Sequence, residues 1–212
     1  MRGSIHDRYV FRKVCSSPLG IWFMDSMNFQ SKHPKPGDVD CCMLPRFNVK
    51  NGQISHLHNL LFITGAESHP ELPAMLQATG RPSELPTIFA PNRTVGDMSD
   101  HGIFRRNGNP YLFLSCGRWQ HYHEPSDTPD RLNYDKMALI ATYTEQLMRG
   151  LGTCVLAPCT ESESDTVELE LAGLRKVFGP GLPVMLMSLG VDQLEDRADL
   201  DRFADALMSF GL

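Results

Sequence analysis

Two short apolar runs constrain this chain more than anything else in it. Leu60-Leu61-Phe62-Ile63 leads into Thr64-Gly65, and Tyr111-Leu112-Phe113-Leu114 follows the turn Asn107-Gly108-Asn109-Pro110. Both are far short of the roughly 20 apolar residues that cross a bilayer. Both have the length of buried strands, and turn-forming residues bound them. They are expected side by side in one sheet, at the heart of a structured core running from Leu60 to Met148.

Helical signals surround the two runs. Glu71–Thr79 reads as a short helix stopped by Gly80, and Ser99 is placed to cap a helix that begins Asp100-His101. Tyr134–Arg149 has helical spacing, with Met137, Ile140, Ala141, Thr144, Leu147 and Met148 expected on one face. Arg81–Thr94 reads as a proline-containing connection. In residues 1–50 neither period is sustained, and Pro18, Pro34, Pro36 and Pro45 interrupt the chain, so an irregular stretch is expected. Composition shifts after Gly150. Glu161–Phe178 and Leu194–Leu207 read as amphipathic helices of an appendage spanning 151–212, beside a first unit spanning 1–150.

Charge and cysteines narrow the function classes. With 25 acidic and 20 basic side chains the formal net charge is -5, and no polybasic run is present, which argues against a nucleic-acid partner. No segment reads as a membrane span, and the first residues lack the apolar core of a signal peptide. A cytoplasmic protein is the default expectation. The six cysteines show no C-x-x-C spacing and read as buried thiols of a reducing compartment.

The chemistry concentrates after the second strand. The loop 117–131 holds His121-Tyr122-His123-Glu124-Pro125-Ser126-Asp127, and loops at strand ends are where α/β folds place sites. His123 can ligate a metal through one ring nitrogen while a carboxylate such as Asp127 orients the other. The hydroxyl of Tyr122 can face a substrate carbonyl. Histidines in a polar loop are also common surface residues, and Asp100-His101 alone reads as a helix-start pair.

The ordered set says more than its parts. Ser99-Asp100-His101 with Phe104, then Gly108 and Pro110, then Tyr122-His123 with Pro125, Asp127, Thr128 and Asp130, resembles the C-terminal signature of metallopeptidase family 28. More weakly, Leu61–Ser68 with Glu71-Leu72 resembles the strand and helix before that signature. Ser26–Pro34 resembles the segment just after the family's catalytic glutamate. The resemblance implies an α/β fold, a mixed sheet flanked by helices, with the family's first half missing from this chain. It implies a zinc-dependent aminopeptidase acting on peptides, with two metal ions about 3.5–4 Å apart clamping a water and the scissile carbonyl. By the same resemblance His123 is a metal ligand, Tyr122 contacts the substrate carbonyl, and Asp127 supports the site from behind. Asp100 and His101 lie near it.

This chain departs from that pattern. The family's ligands come from an H-x-D pair, a Glu-Glu pair, an Asp and the late His. His6-Asp7 has the wrong spacing for the first, Pro18-Leu19-Gly20-Ile21 stands where the second is expected, and Asn48 is nearest to the third. An amide is a poor zinc ligand beside a carboxylate. The expectation is therefore a zinc aminopeptidase-type chain that is inactive by itself. The alternatives are a non-catalytic homologue serving as a binding module, or glutaminyl cyclase chemistry on the same fold.

Overall fold

A computed structural model describes residues 23–26, 59–97, 99–116, 124–154, 156 and 164–209. The two apolar runs are strands. With β1 at Phe23–Ser26, they are β2 at Leu61–Thr64 and β4 at Leu112–Ser115, and β3 is Thr87–Phe89. The sheet order is β1-β4-β2-β3. β2 and β4 pair antiparallel, Ile63 opposite Leu114. β1 lies parallel to β4, and β3 parallel to β2. The sheet is mixed, as expected, and its two central strands are the two runs that were legible in sequence.

Alternation along the strands divides the core in two. Leu61, Ile63, Leu112 and Leu114 face α1 (Leu72–Ala78) and α3 (Tyr134–Leu151), where Leu72, Leu76, Ile140, Tyr143 and Leu147 complete one cluster. Leu60, Ile88 and Phe62 belong to a second cluster with α4 (Val167–Phe178), α5 (Leu182–Leu189) and α6 (Arg197–Ser209). The helices after residue 151 thus cover the second face of the sheet and share a core with it. Helix α4 lies close on β3. A Cβ built on Gly173 would stand 3.2 Å from the Phe89 ring and 3.3 Å from the Thr87 carbonyl oxygen, so a larger residue would push the helix away. No described helix is long and apolar enough to cross a membrane.

Local chemistry explains the helix starts. Asn133 caps α3 by accepting from the Lys136 amide at 3.0 Å, and Asp165 accepts from the Val167 amide at 2.9 Å before α4. At α6 the caps are reciprocal: Asp196 accepts from the Asp199 amide and Asp199 from the Glu195 amide, each at 2.9 Å.

Several expectations change. Of the stretch 1–50, residues 23–26 form strand β1, because the free edge of β4 offers them a ladder that no local pattern announces, and the others lie outside the described residues. The proline-containing connection 81–94 holds β3 and a 3-10 turn at Asn92–Thr94. Residues after Gly179-Pro180 form α5, which was not foreseen. Ser99 does not cap α2 (His101–Arg106); Asp100 stands at the N-cap position and makes no side-chain cap bond. The buried stripe of α3 is Lys136, Ile140, Tyr143, Leu147 and Leu151, rotated from the expected face, so that Ala141 and Met148 are exposed. The exact phase of a helix on a sheet is set by the neighbouring layer. The helix's own sequence leaves it open here, because Lys136 carries a charge and Tyr143 a hydroxyl, and neither residue type is core by default.

Candidate functional site

Three turns at one end of the sheet bring a set of polar side chains into the interior. The first follows β2. Gly65 turns the chain at φ +92°, where a Cβ would sit 2.6 Å from the Tyr111 ring and carbonyl oxygen, so only glycine fits. The 3-10 turn Ala66–Ser68 then faces Glu67 inward. Ser68 ties this turn to the start of β4, its hydroxyl accepting from the Tyr111 amide at 3.0 Å. The second turn follows β3: Pro91 leads into Asn92–Thr94, with Asn92 buried. The third is the start of α2, where His101 is 1% exposed.

These side chains form one network. An oxygen of Glu67 accepts from the Asn92 amide at 2.5 Å. The Asn92 side-chain amide donates to Asp97 Oδ1 at 3.0 Å, which turns its own oxygen toward His101. His101 Nε2 lies 2.8 Å from Asn92 Oδ1 and 3.1 Å from the Gly96 carbonyl oxygen. Both partners are acceptors, so Nε2 carries the proton. Burial holds the imidazole below its ordinary value, against the pull of the Gly96 carbonyl and Asp97, so at neutral pH the ring is uncharged. The other ring nitrogen, Nδ1, is buried and has no hydrogen-bond partner among the described residues. The ring stacks on Phe113 at 4.4 Å between centroids, with Tyr111 at 5.6 Å.

Asp97 closes the network at the surface. Its carboxylate accepts from Arg105 Nε and Nη2, both at 2.8 Å, and from Arg106 Nη1 at 3.0 Å. The Arg105 fork holds the Asp97 carboxyl far below the usual carboxylate range, with Asn92 and Arg106 helping against a smaller penalty from burial. A chain of charge-assisted and neutral hydrogen bonds thus runs from two surface arginines to a histidine packed on the central strand.

The candidate residues named from sequence fall into three groups. His101 is in this network. Asp100, its neighbour, is exposed at the helix start, and Asp127 is exposed in the loop before α3, its amide donating to the Glu124 carbonyl at 3.0 Å. Tyr122 and His123 lie outside the described residues. Glu67 and Asn92 were not singled out from sequence. Their one signal was position, each within a few residues after a strand, next to Gly65 or Pro91. Among the described residues no group of three His, Cys, Asp or Glu side chains could hold a metal ion. His101 offers a metal only the buried Nδ1, since its Nε2 lone pair is replaced by a proton. The described residues therefore do not by themselves fit a zinc site.

Residues 52–148 match the sequence profile of Peptidase family M28. No curated protein and no solved structure matches the chain. The matched span holds β2, β3, β4, α1, α2, most of α3 and every member of the polar network. It also takes in the Tyr122–Asp130 motif, and its strands belong to a mixed sheet of the kind the resemblance implied. Over residues 52–148 this chain is similar to part of the catalytic domain of Peptidase family M28, a family of metallopeptidases.

Proposed function

We propose that the chain carries part of an aminopeptidase-type zinc peptidase domain and that, taken alone, it hydrolyses no peptide. The observation that carries this reading is the commitment of the His101 network. Its Nε2 proton is bound between Asn92 and Gly96, Asp97 is held by two arginines, and Glu67 accepts from the Asn92 amide, so the network ties the three turns to one another. The sequence supports the same reading. Pro18-Leu19-Gly20, where the family's glutamate pair is expected, has no ionisable side chain. A catalytic zinc needs about three protein ligands and an open position, and His123 is the single ligand the resemblance supplies. Loss of a general base alone costs roughly 10²–10⁴-fold in rate.

The test is the purified chain with added zinc, assayed on an aminoacyl chromogenic substrate, with zinc uptake measured in parallel. No turnover and weak uptake are expected. Turnover that disappears with a chelator and in His123→Ala would overturn the proposal.

A further inference from the structure

The sheet face carrying Phe62, Thr64 and Phe113 does not close completely against α4 and α6. Between them lies a cavity of about 100 Å³, with Phe62 and Phe113 on the sheet side and Phe178 and Phe203 on the helix side. Packed interiors hold few voids larger than a water molecule. Water in a cavity needs two to four polar partners, and this wall offers few. Its carboxylates are engaged: Glu170 by Arg197 at 2.8 Å, and Asp201 by Arg93 at 2.5 Å. The second pair joins the Asn92–Thr94 turn to α6, and both of its side chains are about half exposed. One polar group in the wall is not engaged. The Thr64 hydroxyl is buried and makes no hydrogen bond among the described residues.

We propose that this cavity is a binding site for one small uncharged aromatic molecule bearing a hydroxyl, of the size and chemistry of phenol. The volume sets the upper size: an apolar cavity of roughly 150 Å³ takes a benzene ring, and this one, at about 100 Å³, takes one ring at most. The four phenylalanines set the shape, since aromatic rings meet in offset or edge-to-face pairs. Charge is excluded because both wall carboxylates already have their counter-ions, and a buried charge without one is costly. The ligand hydroxyl meets Thr64 Oγ1, which both donates and accepts once its side chain turns that atom into the cavity. The site stands independently of whether the chain hydrolyses peptides.

The test is titration of the full chain with phenol and with toluene, followed by NMR shifts and by the melting temperature. Both ligands bind, phenol on the order of fivefold tighter, the factor that one net hydrogen bond supplies. Thr64→Val keeps the shape of the wall and removes the hydroxyl; it still binds toluene and loses the preference for phenol. Ala204→Phe places a ring in the cavity and binds neither. Should that variant fail to fold, Thr64→Val decides alone. Absence of binding by the natural sequence, binding retained in folded Ala204→Phe, or a phenol preference that survives Thr64→Val each overturns the proposal.

Discussion

Replacing His101 with alanine tests whether the polar network is a structural anchor. The substitution removes the donor that Asn92 Oδ1 meets at 2.8 Å inside the protein. A buried acceptor left without a partner costs about 1–3 kcal/mol. It also removes the ring that stacks on Phe113 at 4.4 Å, a contact that contributes about 0.5–1.5 kcal/mol beyond its area. The expected loss is about 2–4 kcal/mol of unfolding free energy, with the urea m-value unchanged. His101→Gln returns an N–H donor and is expected to lose about half as much. The pH dependence separates this cause from simple loss of packing. Burial holds the folded His101 below its ordinary value of 6.5. As pH falls below that value the unfolded chain takes up a proton that the folded chain resists, so this contribution is complete above pH 6.5 and is lost on acidification. Neither variant has that slope. The stability gap between the natural chain and His101→Gln, from urea unfolding followed by circular dichroism, is expected to narrow from pH 7.5 to 5.5. A gap that stays constant over that range, or an alanine penalty below about 0.5 kcal/mol, would refute the reasoning.

Two further outcomes follow from the packing. Arg197 holds buried Glu170 through two hydrogen bonds, at 2.8 and 3.0 Å, and so fastens α6 to α4; Arg197→Met is expected to cost about 3 kcal/mol, and the double change with Glu170→Met to recover most of it, both read from chemical unfolding. Gly173→Val forces α4 away from Phe89 and Thr87 and is expected to cost about 1–3 kcal/mol, seen as a lowered melting temperature while the helical dichroism is retained.

Local pattern carried the centre of this protein. The strands Leu61–Thr64 and Leu112–Ser115 were legible because their apolar runs are too short for anything else and end at Gly65 or begin after Pro110. Helix α3 was legible because its period is sustained over many turns, and the family resemblance was legible because Ser99–Phe104 and Tyr122–Asp130 combine specific residue types in a specific order. Strand β1 and strand β3 were not legible. Each is only three or four residues long and exists because a distant backbone edge, of β4 or β2, completes its hydrogen bonds. The candidate site was legible in part, for a similar reason. His101 was found through its motif, but Glu67 and Asn92 are an ordinary acid and an ordinary amide in turn sequences. Only the folded chain, by closing three turns over one end of the sheet, gives them a buried histidine to serve. Sequence decided which residues could be strand, helix or ligand. Tertiary structure decided which polar groups left water, because burial is a property of what packs around a residue and is not encoded at any single position.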